Sequence, residues 1–474
     1  MIDVVLIRCG MPAGSNELLN PPLGLLYLAA YIRPLGYQSH VIDLKVEALS
    51  QADIVERIKR IKPELIGLSA FTTEAISLHV VAKKLKSEFP QIDIVAGGPY
   101  PTSDPETVLA DPSIDYAVTG EGEKTFEELL EKLGNGDDVS QIDGLAYRDA
   151  EGRVIQNRTR EPIMDLDSLP WPAWELVDIG RYSKYYAATP VGKGAYLPVF
   201  TSRGCPYQCS YCHRIFGKRF RARSASNVIA EIEEIRDRFA IKRIEFCDDN
   251  FNLDEQRAKK ICEYILKRAP GSRLSFSNGL RADLMTKDLI HHMRDAGTYF
   301  ISYAVESATP RIQRMLKKNI DLPKAREVIS LTVDAGIYTN GFFIIGFPTE
   351  TKEDVKRTIS YACSTRLHSM SAFILVPFPG TRIYKEYSSD WKRLHKKDIF
   401  DFHSGLVNCS EIPNDELLAL KRRMYLEFYF RTGRIVRTLL RHPDKMALLS
   451  LGWVVLKRMG IMKHLQDTPK SGNG

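Results

Sequence analysis

Three cysteines within eight residues are the strongest chemical signal in this sequence. Cys205, Cys209 and Cys212 have the spacing C-x3-C-x2-C in the segment TSRGCPYQCSYCHR. Thiolates are soft ligands that suit zinc or an iron–sulfur cluster. A zinc site with His213 as fourth ligand is one alternative, but adjacent Cys212 and His213 suit a single tetrahedral ion poorly. A disulfide framework is disfavoured because this cluster holds an odd number of cysteines, three. An iron–sulfur cluster is the preferred interpretation, and three ligands leave one iron of a cubane open.

Apolar runs alternate with segments of helical periodicity from about residue 196 onwards. The runs predict strands at Leu197–Ser202, Arg243–Asp248, Arg273–Ser277, Phe300–Val305, Thr339–Gly346 and Ala372–Val376. Helices are predicted between them at residues 225–238, 254–268, 285–296, 309–317, 322–335 and 351–366. Six strand–helix units predict a partial (β/α)6 barrel with its site at the C-terminal ends of the strands. The cysteines follow the first of these strands and therefore belong to that end.

Polar side chains follow the next three predicted strands as well. The segment FCDDNF places Asp248 and Asp249 after the second strand, where they serve either a ligand or the cap of the helix near Asp254. Three consecutive polar residues after an apolar strand favour the ligand. Arg281 in SNGLRAD fits a ligand contact or a surface turn equally well. Glu306 in YAVESA fits a ligand contact better than an ion pair.

Residues 1–130 also alternate strands with helices. The predicted strands are Val4–Cys9, Ser39–Leu44, Leu65–Phe71, Asp93–Gly98 and Tyr116–Gly120, and the predicted helices are Gly24–Ile32, Asp53–Lys62, Thr73–Glu88 and Pro105–Ala110. This order predicts a doubly wound parallel sheet, whose ligands bind beyond the carboxyl ends of the strands. The segment GMPAGS after the first strand does not match G-x-G-x-x-G, which argues against NAD.

The cysteine motif, with an aromatic residue before its last cysteine and a strand before its first, resembles the radical S-adenosylmethionine (SAM) superfamily. The resemblance implies that Cys205, Cys209 and Cys212 hold a 4Fe–4S cluster whose open iron chelates SAM. Reductive cleavage of SAM would then give a 5′-deoxyadenosyl radical that abstracts hydrogen. The residues implied to contact SAM are Tyr211 near the adenine, Asp248, Asp249, Arg281 and Glu306.

Small and hydroxyl-bearing residues follow the strands of the first domain in the segments NPPLG, LSAFTTE, AGGPYPT and TGEGE. This pattern resembles the cobalamin-binding domain that precedes many radical SAM barrels. The implied cobalamin contacts are Pro22, Leu23, Gly24, Ser69, Thr72, Thr73, Gly97, Gly98, Gly120, Glu121, Gly122 and Glu123. None of the ten histidines lies in a D-x-H-x-x-G motif, so cobalamin is expected to bind without a histidine ligand to cobalt from that motif. A vestigial domain that only braces the barrel is the alternative.

Four regions are expected along the chain. A Rossmann-like cobalamin-binding domain occupies residues 1–140, a hairpin with a Pro/Trp-rich connector 141–195, the radical SAM barrel 196–400 and a basic helical region 401–474. The hairpin is predicted at residues 140–158, where two alternating stretches flank a turn-rich tetrad. The fold class is therefore α/β, with a helical C-terminal region.

The basic charge is concentrated near the C-terminus. Residues 421–474 carry 12 Lys/Arg and 3 Asp/Glu, a local charge of +9, whereas the whole chain carries +7. Next to these charges lies the apolar segment Met446–Leu456. The combination fits a peripheral membrane contact or a lid over a lipid-like substrate. Helices that pack on the barrel with a solvated basic face are the alternative.

Composition excludes several classes of protein. Hydrophobic residues are 44% and charged residues 26% of 474, which is ordinary globular usage. The eight cysteines are too few for a disulfide scaffold, and no apolar run reaches the ~18–20 residues of a membrane-spanning helix. The first residues lack the features of a secretory signal, so a cytoplasmic location is expected. Because the basic charge is confined to the tail, no nucleic-acid partner is expected.

The preferred function is a cobalamin-dependent radical SAM methyltransferase. The resemblance implies methyl transfer from methylcobalamin to an unactivated carbon, here of a lipid-like or natural-product substrate. An oxidative, ring-forming cyclase of the same architecture is the runner-up, and a non-catalytic cobalamin or iron–sulfur sensor is the alternative from another class. An external electron donor such as flavodoxin or ferredoxin is expected. The sequence identifies no catalytic acid or base.

Overall fold

A computed structural model describes residues 2–14, 18–187, 192–387 and 408–445, together with Leu448. The chain divides into two compact units. The first contains Lys193–Ser272 and the described parts of Met1–Ala188 and Pro377–Phe400, and the second contains Arg273–Val376 and the described parts of Thr189–Gly192 and Asp401–Gly474. Both units contain parallel strands, as the alternation of strands and helices in the sequence predicts.

The first unit begins with a seven-stranded sheet. Its strands are β1 Ile2–Arg8, β2 Tyr37–Asp43, β3 Leu65–Ser69, β4 Asp93–Gly97, β5 Tyr116–Val118, β6 Leu145–Arg148 and β7 Val154–Gln156. Their order is β2-β1-β3-β4-β5-β6-β7. The first five strands are parallel, and β6 and β7 form an antiparallel hairpin on β5. The predicted hairpin is therefore confirmed, and it extends the first sheet.

Helices cover both faces of this sheet. They are α1 Leu23–Ile32, α2 Leu44–Glu47, α3 Gln51–Ile61, α4 Ala75–Glu88, α5 Pro99–Ser103, α6 Pro105–Leu109 and α7 Gly122–Asn135. Helix α1 packs against α7, and α3 packs against α4, over strands whose side chains are fully buried, such as Val5 and Ile66. The sequence predicts α1, α3, α4 and α6, but not α2, α5 or α7. The start of α7 lies within TGEGE, which reads as a glycine-rich loop.

The remainder of the first unit carries the cysteine segment. Its strands are β8 Leu197–Val199, β9 Ser202–Arg203, β10 Arg221–Ala222 and β11 Arg243–Phe246, and its helices are α8 Ile179–Tyr182, α9 Ala225–Phe239, α10 Glu255–Arg268 and α15 Arg382–Tyr387. β8 and β11 pair in parallel, whereas β9 and β10 form a short antiparallel ladder. Between residues 158 and 179 the connector is irregular with two short 3-10 turns, as its lack of periodicity predicts.

The second unit holds four parallel strands. They are β12 Arg273–Leu280, β13 Thr298–Glu306, β14 Tyr338–Ile345 and β15 Ser369–Ile374, with helices α11 Lys287–Asp295, α12 Pro310–Met315, α13 Leu322–Asp334, α14 Lys352–Ser364, α16 Asn414–Tyr429 and α17 Thr432–Arg441. A capping box between Thr351 and Asp354 begins α14. All six strands predicted after residue 196 are present, which confirms the predicted α/β class.

Candidate functional site

The cysteine loop begins where β9 ends. The pairing of β9 with β10 brings the two ends of the loop together, with Arg203 opposite Arg221. Inside it, the amide of Cys205 donates to the carbonyl of Gly217 at 3.3 Å, and the amide of Cys212 donates to the carbonyl of Cys209 at 3.3 Å. The three cysteines therefore lie on a closed loop that its own backbone bonds hold.

Gly204, directly before the first cysteine, is required by the close approach of the returning chain. Its φ is +86°, and a Cβ at this position would lie 2.2 Å from the carbonyl oxygen of Arg219. Any other residue would have to displace backbone there. This glycine fixes the direction in which the chain enters Cys205.

The thiol of Cys205 is half-buried and accepts a hydrogen bond. Nδ2 of Asn250, just after β11, lies 3.0 Å from its Sγ. Burial raises the pKa of the Cys205 thiol, while hydrogen bonds from the Tyr207 backbone and the Asn250 side chain oppose that rise. Cys212 is exposed, so the loop reaches the protein surface.

The loop fits a cluster better than a single metal ion. Among the described residues, no three His, Cys, Asp or Glu side chains are grouped closely enough to hold one ion. A 4Fe–4S cluster attaches its cysteines to separate irons and does not need them to converge on one point. The ring of His213 faces elsewhere, with Nδ1 3.3 Å from Oγ of Ser103 and its centroid 5.0 Å from that of Phe378. These contacts speak against His213 as a fourth zinc ligand.

Asp248 anchors the segment that precedes the cysteines. Its Oδ1 accepts from the amide of Thr201 at 3.0 Å, from the Thr201 hydroxyl at 2.8 Å and from the Ser202 hydroxyl. Burial raises the pKa of this carboxyl, against the opposing effect of Arg257. The cap of α10 is provided by Asp254, so the helix-cap alternative for Asp248 and Asp249 is wrong. A contact between Asp248 and SAM stays a prediction.

Asp249 differs from its buried neighbour. Its side chain is accessible to solvent. The surrounding protein still desolvates the carboxyl, and this effect, together with the charge of Asp248, raises the pKa of Asp249 to about 6. Tyr211, on the cysteine loop, is half-buried. Asp249 is therefore the carboxylate at this strand end that is open to a cationic ligand near neutral pH.

In the second unit, Arg281 and Glu306 meet at Lys318. The ammonium of Lys318 lies 3.0 Å from Oε1 of Glu306, and Nη1 of Arg281 donates to the carbonyl of Lys318 at 3.0 Å. Arg281 also forms a bidentate pair with Asp283. All three residues are buried, and Glu306 has a φ of +67° at the end of β13. Sequence reasoning missed Lys318, which lies in no motif.

The carboxyl edge of the first sheet offers an apolar, open surface. The strand order reverses at β1, which pairs with β2 on one side and β3 on the other, and ligands of open sheets bind at such a point. After β1 and β3, Met11 is 78% exposed and Phe71 55% exposed. A Cβ on Gly97 or Gly120 would meet no atom within 4 Å. Exposed apolar side chains and unobstructed glycine backbone at the same edge of the sheet fit a flat corrin.

The residues predicted to contact cobalamin differ in accessibility. Gly24 and Thr73 are exposed, and Ser69, Gly97, Gly98, Gly120 and Gly122 are partly exposed, whereas Pro22, Leu23 and Thr72 are buried. Gly98 has a φ of +92°, and a Cβ there would lie 2.8 Å from Oγ of Ser69. Helix α5 can therefore start close to β3 only with glycine at this position.

The two glutamates of TGEGE bind arginines of the β9–β10 ladder. Nη2 of Arg203 lies 2.6 Å from Oε1 of Glu123, and Arg221 pairs with Glu121. Burial by itself would raise the pKa of Glu123, but Arg203 and then Arg221 bring it below its ordinary value. These carboxylates serve an internal ion-pair network, and direct contact with cobalamin stays a prediction.

The basic C-terminal region is partly structural. Arg434 on α17 is buried and donates to the carbonyls of Leu367, Cys363 and Thr365. On the same helix, four apolar side chains are exposed: Ile435, Val436, Leu439 and Leu440. The predicted apolar segment Met446–Leu456 lies outside the described residues, Leu448 excepted. No described helix has both the length and the apolarity to cross a membrane.

Comparison with known proteins identifies two domains. Residues 13–130 match the B12 binding domain, and residues 199–362 match the Radical SAM superfamily. An uncharacterized methyltransferase of Pyrococcus horikoshii is 32% identical over 434 residues, covering 89% of this chain and 91% of the relative. The chain belongs to the radical SAM enzymes that carry a B12-binding domain. This membership confirms the predicted class of enzyme with its cofactor set of 4Fe–4S cluster, SAM and cobalamin.

A second relative and a solved structure are similar to this radical SAM enzyme over most of its length. The anaerobic magnesium-protoporphyrin IX monomethyl ester cyclase of Rubrivivax gelatinosus is 27% identical, covering 90% of this chain and 77% of the relative. The solved structure of OxsB, a cobalamin-dependent SAM radical enzyme with aqua-cobalamin and SAM bound, has a TM-score of 0.73 at 20% identity. It covers 98% of this chain and 76% of that one. The likeness confirms the fold.

Proposed function

We propose that this protein is a cobalamin-dependent radical SAM methyltransferase that methylates an unactivated carbon of a lipid-like or natural-product substrate. The observation that carries the proposal is the pairing of Glu121 and Glu123 with Arg221 and Arg203. These ion pairs join the loop after β5, at the open edge of the B12-binding sheet, to the ladder that closes the cysteine loop. Methyl transfer through cobalamin and radical formation from SAM require both sites in one protein.

The residues of the first unit would have separate tasks. Cys205, Cys209 and Cys212 would hold the cluster, and Asp248 fixes the start of their loop. The carboxylate of Asp249 would attract the ammonium group of SAM, with Tyr211 beside the adenine. When bound, the reduced cluster with SAM supplies a 5′-deoxyadenosyl radical and cobalamin supplies a methyl group.

Glu306 and Lys318 form a buried ion pair at the end of β13. The ammonium group of Lys318 holds the carboxylate of Glu306 in place, and the backbone carbonyl of Lys318 accepts a hydrogen bond from Arg281. Glu306 would then accept hydrogen bonds from hydroxyl groups of the SAM ribose. Lys318 acts through Glu306 and is a positioning residue.

Further elements of the proposal concern partners. An external one-electron donor of the flavodoxin or ferredoxin class would reduce the cluster, and the exposed Cys212 would mark the edge of the loop nearest solvent. We place the enzyme in the cytoplasm with peripheral membrane contact through α17. The exposed apolar side chains of this helix beside Arg437 and Arg441 support that contact.

A cyclase is the second candidate function. The Rubrivivax cyclase matches 90% of this chain, so ring formation on the same architecture competes with methylation. Incubation with SAM labelled in its methyl group separates the two. A methyltransferase puts the label into the product. An oxidative cyclase gives an unlabelled product that has fewer hydrogen atoms than the substrate.

The proposal is tested by anaerobic reconstitution of the full chain. We expect about four iron and four sulfide per chain, cobalamin uptake visible in the absorption spectrum, and cleavage of SAM to 5′-deoxyadenosine after reduction. Cys209→Ala should abolish both the cluster and cleavage. Cys262→Ala, a buried cysteine on α10, is the matched control and should keep both. Stoichiometric zinc in active protein, or cofactor binding with no SAM cleavage, would refute the proposal, and the latter would favour a sensor.

A further inference from the structure

Asn250 is a buried amide held against a predicted cluster ligand. It follows β11 and is 3% exposed, and its Nδ2 lies 3.0 Å from Sγ of Cys205. A thiolate accepts hydrogen bonds and cannot donate them, so the amide nitrogen is the atom that must face the sulfur. Oδ1 of Asn250 is buried and accepts no hydrogen bond from the described residues.

We infer that Asn250 tunes the 4Fe–4S cluster: its N–H donates to the thiolate of Cys205 and raises the reduction potential of the cluster. The inference rests on the proposed function, since it requires Cys205 to be a ligand. Reduction adds one negative charge to the cluster and its thiolates. An N–H dipole that points at a ligand sulfur stabilises this more negative state, and such bonds are among the factors that set cluster potentials.

The surrounding contacts keep the amide in place. Two residues earlier, Asp248 binds the amide and hydroxyl of Thr201 and the hydroxyl of Ser202, just upstream of Cys205. The residues after β11 are therefore fixed to the cysteine loop through Asn250 and to the segment just before the loop through Asp248. Burial places the N–H···S bond where water cannot replace it, which strengthens its electrostatic effect.

The consequence for function concerns the electron that starts the reaction. A reduction potential raised by Asn250 lets a donor of moderate strength load the cluster with one electron. Loss of the amide would leave a cluster that is assembled but harder to reduce. Asn250 is thus a positioning residue whose effect is read as a potential and not only as a rate.

The test is a redox titration of the reconstituted full-length protein, followed by the EPR signal of the reduced cluster. Asn250→Leu removes the donor at similar side-chain size, and Asn250→Ala removes it by truncation, so neither variant adds a charge. At a fixed potential we expect the ratio of reduced to oxidised cluster to fall about tenfold, which is about 59 mV for a one-electron couple. Asn157→Asp is the control, because Asn157 donates to the carbonyl of Ile142, away from the cysteines. The reduction potential of the cluster in this variant should equal that of the wild type.

Two results would overturn the inference. One is a potential equal to the wild type in whichever of the two Asn250 variants holds a full cluster. The other, which needs no variant, is wild-type protein labelled with side-chain ¹⁵N-asparagine whose pulsed EPR spectrum shows no coupling between the reduced cluster and an amide nitrogen. A wild-type chain that assembles no cluster would instead refute the proposed function.

Discussion

Arg203 and Glu123 form a buried ion pair, with 2.6 Å between Nη2 and Oε1. Glu123 lies in the first turn of α7, and Arg203 ends β9 two residues before Cys205. The pair therefore connects the edge of the B12-binding sheet to the entry of the cysteine loop.

Replacing Glu123 should reveal how much this connection contributes to stability. Glu123→Gln leaves the guanidinium of Arg203 without its main counter-charge, and breaking a buried pair costs about 3–5 kcal/mol. The pKa of Glu123 is lowered in the folded state, so the pair stabilises the protein above the ordinary pKa and this contribution is lost as pH falls below about 4.5. Denaturant unfolding at several pH values should show a smaller acid-induced loss in the variant. Equal acid-induced losses in the two proteins would contradict the prediction.

Asp249 should make SAM binding depend on pH. Its pKa of about 6 means that the carboxylate is charged above pH 6 and neutral below it. Attraction for the SAM ammonium group should therefore weaken as pH falls through 6. Equilibrium dialysis of SAM should show this loss in the wild type and a flat profile in Asp249→Asn. A wild-type affinity that is constant between pH 5 and 8 would remove Asp249 from the proposed site.

Lys318 should matter more than its sequence context indicates. Lys318→Met removes the cation that faces buried Glu306, and we expect a loss of about 3–5 kcal/mol in unfolding free energy together with weaker SAM binding. Lys318→Arg should recover part of both, because it keeps the charge. Lys324→Met, at an exposed position on α13, is the control and should change neither. Full SAM affinity in Lys318→Met would refute the positioning role.

Alanine substitutions at Gly204 and Gly152 distinguish the effect of a steric clash with backbone from the effect of backbone strain alone. Both have positive φ, +86° and +78°, so alanine at either position costs roughly 1–2 kcal/mol in strain. Only at Gly204 does the new Cβ meet backbone, 2.2 Å from the Arg219 carbonyl oxygen. Gly204→Ala should therefore be clearly less stable than Gly152→Ala in thermal unfolding and should lose iron. Comparable stability of the two variants, with full iron, would show that the loop adapts.

The apolar face of α17 should bind anionic vesicles. Arginine near such a surface contributes about 1 kcal/mol per charge, and this attraction is screened by salt. Co-sedimentation with phosphatidylserine vesicles should be strong at low salt and reduced in the double variant Leu439→Ser, Leu440→Ser. Leu418→Ser on α16, also exposed, should bind as the wild type does. If the full-length protein does not co-sediment with these vesicles at low salt, the proposed membrane contact is wrong.

The fold was largely accessible to sequence reasoning because hydrophobic periodicity is local. β3, predicted at Leu65–Phe71, spans Leu65–Ser69, and the helix predicted at 254–268 spans Glu255–Arg268. Helix α7 was missed because its first turn contains glycine and glutamate, which also suit a loop. Tertiary packing against α1 decides in favour of the helix, and a single sequence does not show that packing.

The site was accessible only where spacing carries the chemistry. The three cysteines are close in sequence, so their motif could be recognised, whereas Glu123 and Arg203 are 80 residues apart. Glutamates in a glycine-rich loop therefore suggested a ligand contact, and their arginine partners became visible only in three dimensions. Lys318 was missed for the same reason, since nothing local marks it as the partner of Glu306.

The hairpin on β5 has a consequence for how this protein avoids other chains. Without β6 and β7, the first sheet would end at the backbone of β5, and an open strand invites pairing with a second molecule. The hairpin moves that edge to β7, which is only three residues long. Charged Arg153 precedes it and Arg158 follows it, and both side chains are exposed. Such a short, charged border is a poor template for intermolecular strands, so the hairpin protects the protein against edge-to-edge aggregation.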